Sequence, residues 1–274
     1  MGQLLSTRAG TVVEMPGWDV EGAAEKIYKA CKGLGTTEAD ITEVVCSISN
    51  AQRQTLREKY LAMYGEDLMD RLKSELKSRY QDVIIGLMTP PDEYLADWLQ
   101  WAMKGAGTEE DTLIEILCCR TNEELERVKN AYKAKCERDL EEDIESELTG
   151  EFQRLVRAVL ACGRDESGTV DKDLAKSDAQ ELLDAGANQW GTDESKFNAI
   201  LCTRSYPHLR QVFRYYNEIS GTDITEAIDA EFTGHAQAGM LAIVFSMQKK
   251  KNKMLVLNVG SNEDLPWKRV GSKF

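Results

Sequence analysis

The strongest constraint on this chain is an internal repeat. The segment Lys32-Gly33-Leu34-Gly35-Thr36 recurs as Lys104-Gly105-Ala106-Gly107-Thr108, and more loosely as Asn188-Gln189-Trp190-Gly191-Thr192. Counted from the threonine, the register persists far beyond the loop. Leu56, Val128 and Val212 fall twenty residues on, and Tyr60, Tyr132 and Tyr216 twenty-four. Apolar positions follow at thirty-two (Leu68, Leu140, Ile224), thirty-six (Leu72, Ile144, Ile228) and forty (Leu76, Leu148, Phe232). Leu87, Val159 and Ile243 lie near the end of each unit. A register shared by three copies over some fifty positions is the signature of a repeat architecture.

Within each unit the apolar spacing is helical. Ile41, Val44, Val45 and Ile48 stand at i, i+3, i+4 and i+7, and Leu113, Ile116 and Leu117 repeat the pattern with Arg120 in the last slot. With only 5 prolines in 274 residues, long stretches carry no helix breaker. The pattern predicts five short helices per unit, over 20–31, 38–48, 51–63, 66–74 and 79–88 in the first. The units are expected at 18–89, 90–162 and 179–248, with a leader at 1–17, a linker at 163–178 and a non-repeat tail at 249–274. The linker accounts for the wider step between the second and third copies. Its Asp165, Asp171 and Asp173 lack the acidic and glycine spacing of an EF-hand loop.

A net charge of -13 argues against a nucleic-acid partner, because phosphates would be repelled. It argues equally against unaided binding to an anionic membrane. An acidic chain that meets phosphate needs a cation between the two. The 7 cysteines form no C-x-x-C pair and there are only 2 histidines, which disfavours a zinc site. An odd count of thiols without a secretory leader reads as a reduced, cytoplasmic protein. No apolar run approaches the roughly 20 residues of a spanning helix.

Each repeat threonine is followed, thirty-nine positions on, by a glutamate: Glu75, Glu147 and Glu231. A glycine-rich turn between helices turns backbone carbonyls outward, since glycine tolerates positive φ. Calcium takes six to eight oxygens and mixes carbonyls with a bidentate carboxylate and water. A few loop carbonyls and one distant glutamate fill about half of such a shell, leaving room for water or a lipid phosphate. Calcium and lipid would then bind with reciprocal linkage. The plainer reading of a single copy is a glycine that ends one helix and a threonine that opens the next; three copies with equally spaced glutamates favour the metal.

These loops, with Glu75, Glu147 and Glu231, resemble the endonexin-type calcium motif of annexins, over residues 18 to 248. The resemblance implies an all-α fold, a right-handed superhelix of five-helix repeats, with Ca2+ sites on a convex face that binds acidic phospholipids. Its ligand sets would be the carbonyls of Cys31, Gly33 and Gly35 with Glu75, and those of Met103, Gly105 and Gly107 with Glu147. In the third repeat, whose loop is one residue longer, they would be Gly186, Gln189 and Gly191 with Glu231. An auxiliary site through Thr36 and Glu38 is implied as well. The family body usually has four repeats and this chain shows three, which leads us to expect exposed apolar surface on the first repeat, favouring either association (a homo-oligomer or a protein partner) or instability.

The first repeat departs from the other two in two places. Ile48 stands where they carry Arg120 and Arg204, and Lys77-Ser78 stands where they read Thr149-Gly150 and Thr233-Gly234. At the loop tips Leu34, Ala106 and Trp190 vary; the tryptophan suits the headgroup level of a bilayer or local packing. The start Met1-Gly2-Gln3-Leu4-Leu5-Ser6 fits the myristoylation pattern at Gly2, or is an accidental match in a leader. The expectation is a cytoplasmic, non-enzymatic protein that becomes peripheral to acidic membranes when calcium is present. The alternative is a helical-repeat scaffold that binds a protein partner without calcium.

Overall fold

The computed structural model describes residues 12–33, 35–105, 107–186 and 193–247. Among them are fifteen α-helices and no strand. The chain divides into two compact units, one extending to Tyr94 and the next beginning at Leu95.

The first unit holds α1 (Val20–Ala30), α2 (Glu38–Ser47), α3 (Asn50–Tyr64), α4 (Leu68–Glu75) and α5 (Ser78–Met88). Their bounds fall within two residues of those read from periodicity. The ends are set by local chemistry. Asp19 accepts from the Gly22 N–H to start α1, Ser49 and Gln52 form a capping box on α3, and Asp67 accepts from the Met69 and Asp70 N–H groups to start α4. Gly65 ends α3 in the left-handed conformation. The core of this unit gathers Ile27, Ile41, Val45, Leu56, Tyr60 and Leu72, all buried.

Helix α6 (Pro91–Ala102) runs across the boundary. The second unit continues with α7 (Glu110–Leu117), α8 (Asn122–Cys136), α9 (Leu140–Glu147) and α10 (Gly150–Leu160). The third repeat follows as α11 (Lys172–Ala185), α12 (Glu194–Thr203), α13 (Tyr206–Ser220), α14 (Ile224–Glu231) and α15 (Gly234–Met247). One core runs through both repeats of this unit, from Leu99 and Leu113 to Phe197 and Ile243. The fifteen apolar register positions counted from the threonines, from Leu56 to Phe232, are all at most 3% exposed in the three repeats. The repeat is thus a repeat of the core.

The expected linker 163–178 requires correction, because α11 starts at Lys172. Asp171 caps the helix by accepting from the Asp173 and Leu174 N–H groups at 2.9 and 3.0 Å, so an aspartate that looked like loop composition is a helix start. The rest is tied down. The Asp165 N–H donates to the Thr203 carbonyl, Arg164 donates to that of Arg204, and Asn122 donates to that of Arg164.

In the first repeat, Ile48 is buried, and the arginine has moved to Arg53, which donates to the carbonyls of Val45 and Leu87 at 2.8 and 3.1 Å. In the third, Arg204 forms a two-point ion pair with the buried Asp178, which His208 also meets at 3.0 Å.

Candidate calcium loops

Each candidate loop leaves the C-terminus of a helix and is closed by one backbone hydrogen bond. The N–H groups of Thr37, Glu109 and Asp193 donate to the carbonyls of Ala30, Ala102 and Ala185 at 2.9, 2.9 and 2.8 Å. The three loops are therefore pinched at equivalent points, the third being one residue longer. Between these points Gly33 and Gly35 hold φ of 102° and 90°, and Gly105 and Gly107 hold 115° and 97°. Only glycine adopts such angles without strain. A Cβ on any of the four would meet no atom within 4 Å, so backbone conformation, not crowding, demands glycine.

The three glutamates each end a short helix: Glu75 on α4, Glu147 on α9 and Glu231 on α14. A buried, extended residue follows in every case, Leu76, Leu148 or Phe232, whose N–H donates back to the carbonyl four residues earlier. The core anchors this residue, and the glutamate is thereby presented to the loop. Thr36 donates to Glu75 Oε2 at 3.0 Å, and Thr108 to Glu147 Oε2 at 3.4 Å. In the third repeat Glu231 lies against Gly186: a Cβ there would sit 3.4 Å from the Glu231 Cγ. Two helix C-termini, each with the negative end of its dipole, meet a carboxylate at each loop, which is favourable for a cation.

The structure thus brings Thr36 to Glu75, Thr108 to Glu147, and Gly186 to Glu231. No group of three His, Cys, Asp or Glu side chains suited to a metal forms among the described residues. A cation at these loops would rest on backbone oxygens and one carboxylate. The oxygen chemistry and glycine conformations of the second loop fit a calcium ion. For the auxiliary pair, the Thr36 hydroxyl is engaged with Glu75 and the Glu38 carbonyl accepts from Tyr80 at 2.7 Å. Gly2, Gln189, Trp190 and Gly191 lie outside the described residues.

The first loop differs in one contact that the sequence reading missed. Arg71, one helical turn before Glu75, places its Nη2 3.1 Å from Glu75 Oε1 and donates from the same nitrogen to the Cys31 carbonyl. Burial pulls this guanidinium down, but the surrounding charges, led by Glu75 and Glu66, hold it above its ordinary value. The signal was available: the repeat register aligns Arg71 with Asp143 and Ala227.

Five-helix units bearing a glycine loop, closed by a carboxylate from a helix further along the chain, define a class of helical-repeat proteins with oxygen-lined cation loops. The annexin family model matches residues 22–87, 94–159 and 177–243. The chain is similar to human annexin A13, 44% identical over 228 residues that cover 83% of this chain and 72% of the relative. Among solved structures it is similar to annexin III, with a TM-score of 0.85 and 42% identity over 88% of this chain and 74% of that one. It is also similar to calcium-bound annexin (Sm)1, with a TM-score of 0.76 and 26% identity over 86% and 71% of the two chains. This chain belongs to the annexin family.

Proposed function

We propose that this annexin is a calcium-gated peripheral binder of acidic phospholipid membranes and that its ligand sets are the second and third loops. The carbonyls of Met103, Gly105 and Gly107 with Glu147 form one set, and those of Gly186, Gln189 and Gly191 with Glu231 form the other. The observation that carries the reading is the meeting of Glu147 with Thr108 at the end of a loop whose glycines hold φ of 115° and 97°. A carboxylate and outward carbonyls supply part of a calcium shell, and lipid phosphate oxygens supply more. The bridging ion also reconciles a net charge of -13 with an anionic surface. That the similar annexin (Sm)1 was solved with calcium bound supports the choice of metal.

Two further elements belong to this proposal. Trp190 would meet the headgroup layer beside the third loop, and a myristoyl chain on Gly2 would supply a weak anchor that calcium bridging reinforces. No helix among the described residues is long and apolar enough to cross a membrane, and membrane contact in this reading is peripheral, from the cytoplasmic side.

The test is co-sedimentation with vesicles of phosphatidylserine and phosphatidylcholine, with calcium or with a chelator. The protein should pellet only with the acidic vesicles and calcium together. Equal pelleting in chelator, or none in calcium, would remove the proposal.

A further inference from the structure

The first two repeats solve one local problem in different ways, and the first solution fills its own cation site. Each repeat buries a tyrosine whose hydroxyl needs a partner: Tyr60, Tyr132 and Tyr216. Tyr60 donates to Glu66 at 3.0 Å, and Tyr132 donates to Asp143 at 2.6 Å. Glu66 and Asp143 are not equivalent positions. Glu66 aligns with Arg138 and Thr222, and Asp143 aligns with Arg71 and Ala227. The first repeat therefore carries Glu66 and Arg71 where the second carries Arg138 and Asp143, a reversed pair, and the third carries no charge at either position.

In the second repeat the carboxylate of Asp143 turns to Tyr132 and pairs with Arg138. In the first, Glu66 serves the tyrosine, and Arg71 turns the other way, to the loop. There its guanidinium joins the Cys31 carbonyl and the Glu75 carboxylate. Those are two of the oxygens that the family resemblance assigns to calcium. The side chains are well sheltered, Arg71 being 28% exposed and Glu75 22%, so water screens the pair less than it would an ion pair on the open surface. A calcium ion bound to the same oxygens would sit within a few ångströms of a fixed positive charge. The guanidinium, with its planar fork of donors, satisfies carbonyl and carboxylate together.

We infer that Arg71 is a built-in cation which occupies the first loop in place of calcium, so that this loop holds its shape without the metal. The inference rests on the membrane-binding reading for its readout and adds that calcium gating resides in the second and third loops. It also specifies what would convert the first loop into a calcium site: removal of one guanidinium, with Glu75, Thr36 and the glycines untouched.

The test uses the full chain. Calcium bound per chain is measured by equilibrium dialysis, and the calcium needed for half-maximal sedimentation is measured with phosphatidylserine vesicles. Four proteins are compared: wild type, R71A, the double variant E147Q/E231Q, and the double variant with R71A added. Circular dichroism and thermal unfolding identify any that fail to fold, and Arg71→Gln then replaces R71A. R71A should bind one more calcium ion than wild type. E147Q/E231Q should need far more calcium than wild type for half-maximal sedimentation, and adding R71A should lower that requirement on the order of tenfold. The inference is overturned if E147Q/E231Q keeps the calcium dependence of wild type, or if removing Arg71 adds no bound calcium in either background. Failure of the wild type itself to bind vesicles with calcium is a separate result, and it overturns the functional reading beneath the inference.

Discussion

Arg204 holds Asp178 through two nitrogens, Nε to Oδ2 at 2.7 Å and Nη2 to Oδ1 at 2.9 Å. Asp178 is 1% exposed, and His208 approaches its Oδ2 at 3.0 Å. Asp178 is buried, but Arg204 is 33% exposed and can regain water when its partner is removed. Asp178→Ala should destabilise the second unit by about 1.5–3 kcal/mol, seen as a lower midpoint in urea unfolding. Asp178→Asn, which keeps the shape and one acceptor, should lose less. Equal stability of D178A and wild type would show that the pair is dispensable.

Two residues occupy left-handed backbone where the other repeats place glycine. Ser78 has φ of 57° where Gly150 and Gly234 have 67° and 62°, and Glu137 has φ of 56° where Gly65 and Gly221 have 71° and 77°. A side chain costs roughly 1–2 kcal/mol in this region, partly offset by the greater chain entropy that glycine brings to the unfolded state. Ser78→Gly and Glu137→Gly should each stabilise the protein by about 0.5–1 kcal/mol, measured by thermal unfolding. Gly150→Ser should have the opposite sign.

Burial raises the thiols of Cys202 and Cys162 to about 11. An unfolded cysteine titrates near 8.5. Between these values the unfolded chain has released protons that the native chain still holds, so stability falls as pH rises from roughly 9 toward 11. Cys202→Ala should flatten this decline relative to wild type in urea midpoints across that range. Thiol labelling at pH 8 should begin at the exposed Cys46 and reach the buried Cys118 and Cys202 only on unfolding.

Glycine is required in the second loop by conformation alone, since a Cβ at Gly107 would meet nothing within 4 Å. Gly107→Ala should therefore lower the stability by roughly 1–2 kcal/mol through backbone strain and also raise the calcium needed for vesicle sedimentation. Glu147→Gln should raise it further, because it removes the only carboxylate assigned to that loop.

Most of the helical frame was legible in the sequence because the same apolar positions recur in three copies, and every one of those from Leu56 to Phe232 proves buried. The start of α11 was not, since Asp171 reads as loop composition until its side chain is seen capping Leu174. The site was legible in its glycines and glutamates, whose spacing is a direct consequence of two helix ends meeting. Arg71 escaped because a charged residue on a short helix ordinarily faces water. Its role depends on which partner satisfies Tyr60, and that choice appears only when Glu66 and Asp143 are compared in space.

The central claim is that the second and third loops are incomplete calcium shells which a lipid phosphate completes. Linkage then requires that acidic lipid tighten calcium and that calcium tighten acidic lipid by the same factor. The direct measurement is calcium affinity by isothermal titration, with phosphatidylserine vesicles, with phosphatidylcholine vesicles and without lipid. The account predicts binding on the order of tenfold or more tighter with phosphatidylserine, no such gain with phosphatidylcholine, and loss of the gain in E147Q/E231Q. Calcium affinity indifferent to the acidic lipid would contradict it.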